Sequence, residues 1–239
     1  MSRKERNLFK ELSSGVQAMR EHREGKVRLR KMAVHPSPTY QIKVTLLDSD
    51  PPIWRRVRVP GSASLARLDR VIQTAMGWTS SHAHMFAAGA VLYGDPDQDW
   101  DQAVQDEREI RLAAIANAPG ATLIYEYDMG DSWRHEVVVE EVAADAGGAG
   151  VGVPLCLGGE RACPPEDCGG IDGCYDMLER LRDPGSDDYE ETRAWIEDAT
   201  GGPFDPDAFD LDAVLTGRLD AFSDLDRDSV RGTSERAAR

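Results

Sequence analysis

Residues 125–140 read YEYDMGDSWRHEVVVE, and the folding of this stretch decides how the rest of the chain is read. Its two halves alternate in the period of two that sends successive strand side chains to opposite faces. Between them DMGDS is turn chemistry: Gly130 is placed to take φ > 0, and Asp128 to accept backbone N–H bonds as a turn cap. The stretch is therefore expected to be a β-hairpin. Alternation on its second strand puts Trp133, His135, Val137 and Val139 on one face and Arg134 and Glu136 on the other. With the valines in the core, His135 is a half-buried imidazole beside Trp133. Turn formation accounts for Asp128, Gly130 and Asp131 without catalysis, but not for Trp133, Arg134 and His135 at the same tip.

Upstream, YQIKVTLLD and IWRRVRVP are separated by DSDPP, so residues 40–60 predict two more strands joined as a hairpin. SLARLDRVIQTAMGW sets Leu65, Leu68, Ile72, Ala75 and Met76 on one stripe and stops at Gly77, a helix with a glycine C-cap. HAHMFAAGAVLYG predicts a strand pair, GDPDQDWDQ a loop and RLAAIANAP a short helix. Downstream, AADAGGAGVGVP is a flexible connection, after which IDGCYDMLERLRD, DDYEETRAWIEDATG and DLDAVLTGRLDAF are helical patterns between Pro/Gly breaks. Strands first and helices later predict an α+β fold: a mostly antiparallel sheet with helices packed on one side and a helical C-terminal third.

Ahead of the first strand, Leu8, Leu12, Val16 and Met19 form a helical stripe ended by Gly25, and VHPSP marks a boundary. The expected organisation is a basic helical arm and linker at 1–38, an α+β domain at 39–222 and a polar, disordered tail at 223–239. The net charge of −15 is unevenly spread: residues 1–34 hold ten Lys/Arg against four Glu, which leaves −21 for the remainder. So acidic a body repels phosphate backbones, and nucleic acid is expected to associate through residues 1–34 if at all. No apolar run approaches the ~20 residues that cross a bilayer, and the N-terminus lacks a signal-peptide pattern, so a cytoplasmic protein is expected.

The four cysteines, Cys156, Cys163, Cys168 and Cys174, are spaced x6, x4 and x5. In a reducing compartment they read as free thiols or metal ligands, and the C-x2-C spacing of zinc knuckles is missing. On one strand His82 and His84 would share a face, which makes His82, His84, Cys156 and Cys163 the candidate metal set, with zinc as the ion. The alternative is a histidine pair packed against Trp78 and cysteines acting as small buried hydrophobes. ACPPEDCGG describes a rigid loop in which Asp167 is placed to cap the helix starting near Asp172. The motifs GxSxG, GxxxxGK[ST] and GxGxxG do not occur.

Four blocks, PPIWRRVRVPGSASLARLDRVIQTAMGW (51–78), SHAHMF (81–86), the 125–140 stretch and CLGGERACPPEDCGG (156–170), with FDPDAFDLDAV (204–214) as a fifth, resemble the plasmid pRiA4b open-reading-frame-three-like family. The resemblance implies an α+β domain of bacteria and mobile elements, and little about function. Here Ala83 and Met129 replace the Leu and Phe usual in that family, and Cys174 stands for Tyr and Cys168 often for Val. The resemblance therefore implies no shared four-cysteine site. Some members carry a resolvase label, but a serine recombinase needs a nucleophilic serine supported by arginines, whereas Ser13 and Ser14 lie in the arm.

The resulting expectation is a non-enzymatic binding or regulatory module for an unknown protein or small ligand, with no cofactor. Its ligand-facing surface would comprise Trp78, His84, Asp128, Asp131, Trp133, Arg134, His135, Glu166 and Asp167. The alternative is a metal-dependent, hydrolytic enzyme built on the same blocks.

Overall fold

The computed structural model describes residues 38–144 and 155–216; the expected arm helix, most of the Gly/Ala connection and the tail lie outside them. β1 (Thr39–Leu46) and β2 (Trp54–Pro60) form the antiparallel pair expected, with Ile42 opposite Val57 and Thr45 opposite Trp54. Alternation does the sorting. Tyr40, Ile42, Val44 and Leu46 are buried, while the other face carries Lys43 and Arg56, their cationic groups 5.0 and 4.9 Å from the centre of the Trp54 ring. On that same face Arg56 makes a two-pronged contact with Glu140, at 2.6 and 2.8 Å, which holds the Glu140 carboxyl below its usual range.

α1 (Leu65–Met76) starts where the Ser64 hydroxyl accepts from the Arg67 N–H at 3.2 Å, and stops where Gly77 takes φ 99°. Leu65, Leu68, Val71, Ile72, Ala75 and Met76 are buried against the sheet's inner face. β3 (His84–Ala88) and β4 (Val91–Gly94) are the next hairpin, followed by β5 (Gln105–Asp106), which runs parallel to β4, and the single-turn α2 (Leu112–Ile115). β6 (Thr122–Tyr127) and β7 (Trp133–Ala143) are the central hairpin. Then come β8 (Leu155–Glu160), α3 (Gly170–Arg180), α4 (Tyr189–Thr200) and α5 (Leu211–Thr216).

The eight strands form one sheet in the order β5-β4-β3-β6-β7-β1-β2-β8, antiparallel except at β4–β5. With five helices among the described residues this is an α+β fold. α1 and α3 bury residues in one core: Cys174 and Met177 of α3 belong to the same apolar cluster as the α1 stripe.

One local expectation is corrected. Gly130 does not take the left-handed conformation; Asp128 (φ 56°) and Ser132 (φ 55°) do. The turn is closed instead by Asp128, whose Oδ1 accepts from Gly130 N at 2.9 Å and whose carbonyl accepts from Ser132 N at 2.6 Å. β8 carries the glycine pair Gly158 and Gly159. Gly159 is there for space, not for a turn: a Cβ on it would lie 2.7 Å from the Phe209 ring and 2.8 Å from Arg55 Cδ.

Candidate functional site

The site is assembled where the end of α1, the hairpin tip and the 163–170 loop meet. Trp78 follows the Gly77 cap, and its indole N–H donates to the Pro164 carbonyl at 3.0 Å. Glu166 accepts from Thr79 through both backbone N–H (3.1 Å) and hydroxyl (2.7 Å), and its second oxygen accepts from the Tyr127 hydroxyl. Tyr127 in turn accepts from the N–H groups of Ser81 (3.0 Å) and His82 (3.3 Å). Burial, and then the hydrogen bond to Glu166, push the Tyr127 hydroxyl well above its ordinary value, so it stays a donor. Asp131 accepts from Gly169 N at 3.2 Å. Gly170 (φ 70°) lies so close that a Cβ there would be 2.5 Å from the Asp131 carbonyl oxygen.

At this junction His82 stands between two carboxylates: Nδ1 is 3.7 Å from Asp128 Oδ2, and Nε2 is 3.2 Å from Asp167 Oδ1. One donor atom from each of the three lies within 4.8 Å of the others. Metal bonds of about 2.1 Å put neighbouring ligand atoms roughly 3–3.5 Å apart, so coordination requires a contraction of about 1–2 Å, within the reach of side-chain rotation. Asp128 and Asp167 both occupy left-handed backbone, φ 56° and 60°, which Asp tolerates better than most residues. The cluster is open to solvent on one side, with the His82 side chain 29% and that of Asp167 70% exposed.

A second constellation joins β3, β6 and α1 to Glu107, the residue that follows β5. His84 Nε2 lies 2.8 Å from Glu107 Oε2 and Nδ1 lies 3.4 Å from Asp69 Oδ1. Tyr125 donates to Asp69 at 2.7 Å and accepts from Gln73 at 2.7 Å, and Gln73 accepts from Ser80 N at 3.2 Å. The chain thus ends at the segment that carries His82. Burial acts to lower the His84 pKa, but the Glu107 hydrogen bond and the Asp69 charge outweigh it, and the net shift is upward. Burial raises the Asp69 carboxyl, against the His84 charge and the Tyr125 hydrogen bond.

Comparison with known proteins extends the resemblance carried by these blocks. The family model described as Plasmid pRiA4b ORF-3-like protein matches residues 38–213. The chain belongs to this family. The uncharacterised protein y4hQ of Sinorhizobium fredii is 38% identical over 156 residues, 65% of this chain and 79% of that protein. The crystal structure of MM3350 from Methanosarcina mazei Go1, a protein of unknown function, superposes with a TM-score of 0.64 at 30% identity, covering 74% of this chain and 97% of its own.

The pRiA4b ORF-3-like fold reassigns several residues expected to act together. His82 and His84 do not share a site: β3 begins only at His84, and the two imidazoles engage different acids. Cys156 is buried on β8 with its sulfur 3.7 Å from the Gly158 carbonyl. Burial pushes the Cys163 thiol up to about 12 although the Arg55 charge opposes it. The set His82, His84, Cys156 and Cys163 is therefore not a metal cluster; among the described residues the group with that geometry is His82, Asp128 and Asp167. Asp167 does not cap a helix either: α3 begins at Gly170 after a Gly169 cap that no side chain satisfies.

Trp78, Trp133 and His135 were expected on a ligand-facing surface, and all three are buried. Trp133 and His135 point inward with the valines of β7, as alternation predicts, and Arg134 is exposed on the opposite face. The Trp78 indole packs over both, at 5.8 Å from Trp133 and 5.3 Å from His135, and stacks on Tyr127 at 5.0 Å. Among the described residues, the ring nitrogens of His135 and the Trp133 Nε1 have no hydrogen-bond partner. Carbonyls of Tyr125 and Trp133 lie near the imidazole without meeting hydrogen-bond geometry, and burial lowers its pKa to about 4.

Sequence reasoning missed Asp69, Glu107, Tyr125, Tyr127 and Arg55. The available signal was strand parity: Tyr125 and Tyr127 share the inward face with Leu123. Arg55 is buried in β2, donating to the carbonyls of Ala75 (2.8 Å), Trp54 (2.8 Å) and Glu160 (3.0 Å), with the Phe209 ring 4.6 Å from its guanidinium carbon.

Proposed function

We propose that this protein is a binding module whose ligand site is the three-segment junction, with a divalent cation held by His82, Asp128 and Asp167 at its centre. The observation that carries the reading is the convergence of three donors from segments remote in sequence to within 4.8 Å of one another. One imidazole and two carboxylates suit Zn2+ or Mn2+ better than Ca2+ or Mg2+, which favour oxygen-only shells. Three protein ligands leave coordination positions for water or for an oxygen donor of the bound molecule. That openness also favours a second reading, metal-assisted hydrolysis, in which a cation-bound water supplies the nucleophile.

The test is calorimetric titration of the chelator-treated full chain with Zn2+ and, separately, Mn2+. One equivalent is expected, weakened more than about tenfold by His82→Ala and by Asp167→Asn, in line with the cost of disturbing metal-site groups. At a hundredfold excess over Kd the cation should also raise the unfolding free energy by about 2.7 kcal/mol. Absence of saturable binding, or equal affinity in the two variants, overturns the reading. Hydrolysis is decided afterwards by whether the loaded protein cleaves ester or phosphoester probes and the His82→Ala variant does not.

A further inference from the structure

The cation reading leaves a second cavity unused. A cleft of about 450 Å³ lies between α3, α4 and the 203–207 segment, and that size falls among small-molecule sites. Its lining includes an apolar patch continuous with the core: Ile196 is buried, while Leu181 and Phe204 are half-buried and pack on the same cluster. Arg161, Arg182 and Arg193 line the same cleft from three places in the chain. The first follows β8, the second follows α3, and the third stands three residues before Ile196, on the same face of α4. Residues 35–239 carry −21, so an anion meets repulsion over most of that surface, and three guanidiniums gathered on one apolar cleft offset it there.

Each guanidinium already faces a carboxylate: Arg161 pairs with Asp207 through Nη1, Arg182 with Glu179, and Arg193 with Glu190 at 2.9 Å and Glu197 at 3.7 Å. These carboxylates are solvent-facing, and exposed ion pairs hold their partners weakly. The decisive asymmetry is in hydration. Of the charged side chains that line the cleft Arg161 is the least exposed, at 20%, against 73% for its partner Asp207. A poorly hydrated cation gains more from an added counter-charge than a well hydrated carboxylate does, so the charge that governs the cleft is positive. Arg161 is also fixed by its backbone: it takes φ 66°, and the N–H of Ala162 donates to the Pro206 carbonyl at 3.1 Å, tying the exit of β8 to the 203–207 segment.

We propose that this cleft binds a small amphiphilic carboxylate, a molecule of the size of decanoate with an apolar body and one terminal carboxylate. The apolar body covers Leu181, Ile196 and Phe204, and its removal from water supplies the affinity. The carboxylate replaces that of Asp207 on Arg161, whose planar fork matches two oxygens at once, and Arg193 adds a second positive charge. A carboxylate is the group these guanidiniums already select within the chain, at Asp207, Glu179 and Glu190. The cleft shares no residue with the cluster of His82, Asp128 and Asp167.

The experiment titrates the chelator-treated full chain with sodium decanoate by calorimetry, below the micelle concentration and without added metal, so that its outcome is independent of the cation reading. Decanol and decylammonium serve as head-group controls. One equivalent of decanoate is expected, bound more than about tenfold more tightly than either control, since each control forgoes a charged hydrogen bond. Rising salt should weaken decanoate and leave decanol unchanged. Arg161→Gln should cost decanoate about tenfold or more, and Arg193→Gln should weaken it in the same direction by less. Arg193 is an exposed side chain of α4, so its variant keeps the test decisive even where Arg161→Gln folds poorly. No saturable decanoate binding, decanol or decylammonium bound as tightly as decanoate, or full decanoate affinity in either folded variant overturns the proposal.

Discussion

His135 lies on the inward face of β7, 0% exposed, bounded by Trp78 at 5.3 Å and Tyr125 at 5.5 Å, with no hydrogen-bond partner among the described residues for either ring nitrogen. Burial therefore keeps it neutral, lowering its pKa from 6.5 to about 4. Because the unfolded chain protonates first, stability is full above 6.5 and is lost as the pH falls towards the folded value. A shift of about 2.5 units has a ceiling of about 3 kcal/mol, with about 1.4 kcal/mol lost at about pH 5.5 and about 2.5 at about pH 4.5. His135→Phe keeps a planar ring in the slot and removes both nitrogens. At neutral pH its effect should be small, since relief of unsatisfied polar groups, about 1–3 kcal/mol, is offset by overpacking of similar size. As the medium is acidified the variant should gain on the wild type, and the difference cancels the titration of the groups that both proteins share. Urea unfolding of both proteins at about pH 7.5, 5.5 and 4.5 measures it. A difference that stays flat across that range refutes the claim that His135 is buried neutral and unpartnered.

His84→Ala should destabilise by about 3–5 kcal/mol in urea melts, since it leaves the Asp69 and Glu107 carboxylates buried without their cation. As the folded His84 pKa is raised, the wild-type advantage should be complete below 6.5 and shrink as pH rises above it. Gly170→Ala should cost more than Gly77→Ala by thermal unfolding: both have positive φ, about 1–2 kcal/mol each for an L-residue, but only Gly170 faces backbone, the Asp131 carbonyl.

Much of the fold was legible because strand and helix periodicity express contact between one segment and any apolar surface. The alternation of TYQIKVTL and the stripe of LARLDRVIQTAM predict which side chains are buried, and those side chains are buried whatever covers them. Gly77 is equally local, because a C-cap is satisfied within its own turn. Where the expectation failed, a remote partner decided. Asp167 looked like a helix cap and instead meets His82, while His84, two residues on, is drawn to Asp69 and Glu107 on other elements. Only tertiary structure could make those choices. A carboxylate's donor or acceptor is set by the register of segments brought together by apolar burial, and the non-directional hydrophobic pattern written in the sequence carries no record of which polar groups that packing will leave facing one another.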